Sequence, residues 1–404
     1  MTSTSRRLLI VYPYGCFDTN PTVTALTRKL IQENWTVDIL TSRDPEFHDP
    51  RLSNVPAKFI FALPTFFQQH QLRPFGLSRW FAKNLLGKKE FGQSPFLTAE
   101  WWGKFHSANY NLIVGVDPQG IIAADRLNTK DRPLVYLSFE IIFKDELNPT
   151  DHPLYAAEQK AAENCALYVL QDEERLAAFQ ESHTATKEKV CLVPVSWLKT
   201  EINSGFSLRN ELKIPQQKRI VLFAGNVTPW TACDNFEELV SYWPESFVLV
   251  IHQKSTLPPL KSEYLKKLAE HPRIFISSNI KTSDNIIELY AAADYGLAPY
   301  RPTADFWFTG KNIYPLGYAS GKVSAYAQCA KPILARPLPV FEKNFSFYQC
   351  GKIYRQISES GKCLEEMEQN YVTFQNGANR FYQNCLDPAP RIESLVNRLT
   401  ELAG

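Results

Sequence analysis

FWFTGKNIYPLGYASGKVSAYAQCAKPILAR, residues Phe306 to Arg336, is the stretch to which the rest of the chain reads as a scaffold for delivering a ligand. It opens with a glycine-rich turn, passes through Ser320-Gly321-Lys322 into a helical run and closes with Pro332-Ile-Leu-Ala, which reads as a short buried strand. A serine and a glycine at a helix start present first-turn backbone N–H groups and the positive end of the helix dipole, and Lys322 adds a full charge. This is an anion seat in waiting, or an ordinary capped helix with a solvated lysine. The run Gly317-Tyr-Ala-Ser-Gly321-Lys322-Val323 is not a nucleotide-triphosphate P-loop. That motif needs four residues between its glycines and Ser or Thr after the lysine, whereas here there are three residues and a valine.

Working outward, 404 residues suffice for two domains with full cores, and 44% apolar with 21% charged residues is the composition of a globular protein. The 44 basic and 42 acidic side chains leave a net charge of only +2, which argues against a nucleic-acid partner at the level of the whole chain. Eight cysteines without a Cys-x-x-Cys pair signal neither zinc nor a disulfide framework. The apolar run after Arg6-Arg7 is too short for a signal-peptide core, and no run approaches the length of a membrane span. A cytoplasmic protein is expected.

Toward the N-terminus, Arg7 to Tyr12, Thr36 to Leu40 and Lys58 to Ala62 read as strands, with a helix starting near Asn20-Pro21. The segment from Pro64 to Phe105 interleaves aromatic and basic residues. It reads either as packing inside the first domain or as a peripheral contact with anionic lipid at the inner face of the membrane. Strands then end in Asp117 and in Ser138-Phe-Glu140. Residues just past the carboxyl ends of strands in open α/β sheets face the ligand crevice, so Asp117 and Glu140 are candidates for chemistry, or else caps and ion-pair partners. A stretch of polar and breaker residues up to Gln217 reads as a linker, and a second alternating series begins at Arg219. The expected organisation is a first Rossmann-like domain over 1–197, a linker over 198–217, a second over 218–375, and C-terminal helices over 376–404 that pack back toward the first. No Gly-x-Gly-x-x-Gly and no Asp-x-Asp is present.

Four segments together resemble the family 4 type of nucleotide-sugar-dependent glycosyltransferases, which have the GT-B architecture. They are Ile220-Val-Leu-Phe-Ala-Gly-Asn226, the run from Ile286 to Tyr300 (IIELYAAADYGLAPY), Ser320-Gly-Lys-Val-Ser-Ala-Tyr326 and Ala330-Lys-Pro-Ile-Leu334. The first half is similar more loosely, through its opening strand and turn and through Tyr136-Leu-Ser-Phe-Glu140. The resemblance implies an α/β fold of two Rossmann-like domains facing across a cleft, with a C-terminal helix crossing back. It further implies transfer of a sugar, with retention, from a nucleotide-sugar to a glycan, lipid-linked or small-molecule acceptor, without metal or other cofactor. Gly15, Gly225, Asn226, Lys254, Ile280, Tyr300, Arg301, Asn312, Ser320, Gly321 and Lys322 would then bind the donor, and Glu140, Asp117 and Lys322 would be catalytic.

The sequence also departs from the family. Two glutamates usual in relatives fall on Gly317 and Ala325, the glycine before the proline is Ala330, and the Gly225 loop has no nearby base. Ser324 or Asn312 would have to take over the ribose hydroxyls. A non-catalytic subunit of the same shape, serving another glycosyltransferase, is the alternative. An enzyme that alters a sugar nucleotide without transfer is a third reading.

Overall fold

The computed structural model describes residues 6–42, 55–62, 110–200, 205–252, 263–277 and 285–404. The aromatic segment at 64–105 lies outside these residues.

Seven strands form an all-parallel sheet in the first half: β1 (Arg7–Tyr12), β2 (Thr36–Ser42), β3 (Lys58–Ala62), β4 (Leu112–Val116), β5 (Leu134–Leu137), β6 (Cys165–Leu170) and β7 (Val190–Leu192). Their order is β3-β2-β1-β4-β5-β6-β7. The second half holds β8 (Arg219–Ala224), β9 (Phe247–His252), β10 (Ile274–Ser277), β11 (Tyr295–Ala298), β12 (Ile333–Ala335) and β13 (Gly351–Ile353). These pair in the order β10-β9-β8-β11-β12-β13, again all parallel. Central strands such as RLLIVY and RIVLFA are apolar on both faces because helices cover both sides of a parallel sheet. In each half, β1 or β8 sits where the strand order reverses, and a crevice opens outside the carboxyl ends at that point.

Helix starts follow local chemistry. The Asn20 side chain accepts from the Val23 N–H at 3.1 Å and Pro21 takes the first turn, which begins the helix Pro21–Gln32. The stretch read as linker contains a short helix, Leu208–Glu211, started by the Ser207 hydroxyl accepting from Asn210 N–H. The helix Pro339–Tyr348 and strand β13 were also not read from the sequence.

Each half has its own core on both faces of its sheet. The C-terminal helix Ala389–Ala403 belongs to the first domain's packing. Ile392, Leu395, Val396 and Leu399 are buried together with Leu26, Leu30 and Val114. Four such side chains contribute roughly 6–12 kcal/mol before chain entropy, enough to hold the crossing helix in place. On the other side of the hinge, the Val195 N–H donates to Tyr318 O at 2.8 Å, and Ser324 Oγ donates to Val195 O at 2.8 Å. Among the described residues no helix is long and apolar enough to cross a membrane. None of the eight cysteines is in a disulfide.

Candidate active site

The crevices of the two sheets face each other and enclose a cavity of about 280 Å³. From the first domain it is lined by Tyr14 and Cys16 after β1, by Asn20 and Pro21 at a helix start, and by Asp117 and Glu140 after β4 and β5. From the second it is lined by Gly225 and Asn226 after β8, Tyr300 after β11, and Ser320, Gly321 and Lys322 at the start of the helix Gly321–Gln328.

On the second-domain wall, Ser320 caps its helix by accepting from the Val323 N–H at 3.3 Å and shares a 2.8 Å hydrogen bond with the Tyr300 hydroxyl. The Tyr300 ring stacks on Trp230, with centroids 5.6 Å apart. Lys322 is held over two rings, its Nζ 4.0 Å from the centroid of Phe223 and 4.8 Å from that of Tyr300. Gly225 makes room for it. With φ at +150° and a would-be Cβ 3.1 Å from Lys322 Nζ, a side chain at position 225 would be strained in its backbone and would press on the ammonium. The helices Pro21–Gln32 and Gly321–Gln328 bring their positive ends to the same cavity from opposite domains. An ammonium and two helix N-termini around one cavity form a seat for a multiply charged anion.

The first-domain wall carries the carboxylates. Asp117 is buried in a left-handed conformation (φ +57°), uncommon for a residue with a side chain. Its Oδ1 accepts from the backbone N–H groups of Phe139 (2.6 Å) and Glu140 (3.0 Å), which fixes the turn after β5. Burial pushes the Asp117 carboxyl above the usual range, opposed by those two amides, by Arg175 and by the Tyr14 hydroxyl. The Glu140 carboxyl is pushed further, to about 8, first by burial and then by the neighbouring Asp117 charge, with Arg175 and Asn312 pulling the other way. Burial and the proximity of the two carboxyls disfavour two full negative charges on this pair. One carboxyl is then able to donate a hydrogen bond or a proton while the other accepts.

Of the residues expected at the site, Asp117, Glu140, Gly225, Asn226, Tyr300, Ser320, Gly321 and Lys322 line this single cavity. Gly15 is buried between Tyr14 and Cys16 and does not line it. Lys254 and Ile280 lie outside the described residues. Arg301 is a correction. Tyr300 faces the cavity, so its neighbour projects the other way, and the guanidinium is taken up by Asp234 at 2.6 Å, Asn235 at 3.1 Å and Pro229 O at 3.1 Å. Asn312 is a second correction: it is buried behind Glu140 and spends its amide on holding the two domains together. Nor is Ser324 available to a ribose, because its hydroxyl is bonded to Val195 O and Gly321 O. Ala325 is fully buried in the second domain's core. Gly317 (φ +38°) is pressed against the first domain, where a Cβ would lie 2.4 Å from Asp172 Oδ2.

Sequence reasoning passed over Tyr14, Trp230 and Arg175. The strand-end rule that selected Asp117 would also have selected Tyr14. Nothing in the helix Glu173–Gln180 marks Arg175, whose partners come from a segment far away in the chain.

Comparison with solved structures places the fold. HepE of Anabaena, in complex with UDP and glucose, matches with a TM-score of 0.67 at 13% identity over 98% of this chain and 100% of its own. Sucrose-phosphate synthase from Thermosynechococcus elongatus matches with a TM-score of 0.68 at 12% identity over 98% and 99%.

The fold is GT-B.

WaaG, described as a glycosyltransferase involved in lipopolysaccharide biosynthesis, follows with a TM-score of 0.61 at 15% identity over 98% of this chain and 99% of its own. No protein-family model and no curated protein matches the sequence. At these identities the likeness establishes the GT-B architecture of the two domains and leaves the chemistry to the site itself.

Proposed function

We propose that this chain is a glycosyltransferase of the family 4 type that moves a hexosyl group from a nucleotide-sugar to an acceptor hydroxyl, with retention and without a metal. The observation that carries the reading is the opposition, across one GT-B cleft, of the Ser320-Gly321-Lys322 helix start and the Asp117–Glu140 pair. Departure of a nucleoside diphosphate develops negative charge on its phosphates. Lys322 and the positive end of its helix would stabilise that charge, the largest single contribution in many such reactions. Glu140 and Asp117 orient the sugar or the acceptor hydroxyl from the facing wall. UDP-sugars are the first donors to test, because HepE has been seen with UDP and with UDP-glucose. Incubation with UDP-, GDP- and ADP-sugars should release nucleotide or transfer sugar with at least one of them. The absence of both turnover and binding with every donor would dispose of the proposal. The acceptor class, glycan, lipid-linked or small molecule, follows from which one supports transfer. A cytoplasmic site of action, with peripheral membrane contact through 64–105, belongs to the same proposal and is tested by flotation with anionic liposomes.

A specific observation also favours the reading as a non-catalytic subunit. Ala325 is sealed in the core and Gly317 is closed off by Asp172, so both positions that are glutamates in relatives are unable to reach a donor. That reading expects a stable complex with a partner enzyme and no donor breakdown by the isolated chain.

A further inference from the structure

In the turn that presents Glu140, each backbone N–H from 138 to 141 and each carbonyl from 138 to 140 has a partner. The Ser138 N–H donates to Val169 O at 3.1 Å, and Ser138 O accepts from Gln171 Nε2 at 2.9 Å. The N–H groups of 139 and 140 go to Asp117, Phe139 O accepts from the Arg175 guanidinium, and Glu140 O accepts from Ser138 Oγ at 3.0 Å. The remaining amide, Ile141 N–H, donates at 2.9 Å to Asn312 Oδ1, which comes from the second domain.

Asn312 makes four hydrogen bonds, the full capacity of its carboxamide. Oδ1 accepts from Ile141 N–H and from Arg175 Nη2 at 3.0 Å, while Nδ2 donates to the Glu140 carboxylate and to Phe308 O at 3.0 Å. The carboxamide therefore stands between a guanidinium that is 0% exposed and the carboxyl that reaches the cavity. The docking of its segment is reinforced on both sides. Lys311 N–H donates to Glu146 at 2.8 Å, and Tyr318 N–H donates to Asp172 Oδ2 at 2.8 Å. A fully satisfied amide across a domain boundary is built for one relative position of the two domains, since withdrawing it strands donors on both sides.

We infer that Asn312 and Arg175 are positioning residues. Asn312 separates Arg175 from Glu140 when the 302–320 segment docks, so that domain closure itself hands Glu140 to the cavity with a neutral donor beside it. This rests on the reading of Glu140 as a group that meets the substrate.

The test uses the full chain with Asn312→Ala and Asn312→Ser, together with Glu140→Gln to assign the signal. The charged and titratable groups facing Glu140 are Asp117, Arg175, Tyr14 and Tyr300, and Asp172 faces Arg175 from its other side. All of these stay in place in the variants. Infrared difference titration of the protein, labelled with ¹³C-glutamate, should show the Glu140 carboxyl ionising at least one pH unit higher in both Asn312 variants than in the wild type, because the amide that donates to the carboxylate is gone. With a donor that turns over, kcat should fall 10- to 100-fold with KM changed less than threefold, and the pH–rate profile should move in the same direction. The melting-temperature shift given by nucleoside diphosphate should be retained. Unchanged titration and profile in a folded variant would overturn the inference, even if turnover is lost, because a merely structural amide moves neither. Should Ala fail to fold, the Ser variant decides. Absence of turnover in the wild type with every donor would sink the glycosyltransferase reading, while the infrared result would still decide the Asn312 inference.

Discussion

Gly225 and Lys322 are in contact across the cavity wall: a Cβ built at 225 would lie 3.1 Å from Lys322 Nζ and 3.3 Å from its Cε. Glycine at 225 and lysine at 322 are therefore one feature. Gly225→Ala adds backbone strain at φ +150°, on the order of 1 kcal/mol, and presses on the ammonium where it sits over Phe223 and Tyr300. The expected outcome is a small loss of melting temperature with a loss of nucleoside diphosphate affinity of at least tenfold, read by calorimetry. Affinity equal to that of the wild type would mean that the lysine position is not set by this contact.

Restoring the missing carboxylates should not restore a family-like site. Gly317→Glu must place its Cβ 2.4 Å from Asp172 Oδ2 and 3.0 Å from a Val340 methyl, at φ +38°. Ala325→Glu buries a carboxyl in the apolar core of the second domain, at a cost of about 3 kcal/mol or more. Both variants are expected to melt several degrees lower and to gain no activity. A stable, more active Ala325→Glu would show that this position reaches the donor.

The Glu140 carboxyl gives a pH signature in stability. Its folded-state value is raised from 4.5 to about 8, so the native state binds more protons than the unfolded chain between those values. Stability from this group is full below about 4.5 and is lost as pH rises through about 8. Glu140→Gln, which keeps an oxygen to accept from Asn312 Nδ2, should melt like the wild type at pH 4 and higher than it at pH 9. The same variant should lower kcat. A melting difference that is constant across this range would contradict the assignment of the raised carboxyl to Glu140.

What the sequence made legible follows from how local each cause is. Strands such as Arg7–Tyr12 and Arg219–Ala224 announce themselves because a strand covered on both faces must be apolar throughout. Asp117, Glu140 and the Ser320 helix start were reachable because strand ends and helix starts face the crevice in this class of fold. Arg301 was misread because side-chain direction past a strand end depends on a single residue of register, and Tyr300 took the inward position. Asn312 was misread, and Arg175 unseen, because their partners are set by how the two domains dock, which leaves no period or spacing in the chain. The helix Pro339–Tyr348 and the three-residue strand β13 are held by tertiary packing and carry little signal of their own.

The central claim is that Lys322 and its helix start neutralise the diphosphate of a nucleotide inside the interdomain cleft. The most direct measurement is the melting temperature of the wild type and of Lys322→Met with saturating UDP, GDP or ADP, since a ligand that binds only the folded chain must raise it. The wild type should shift with at least one of these nucleotides, and Lys322→Met should lose most of that shift while melting normally without ligand. No shift with any of the three, or an equal shift in the variant, would contradict the account.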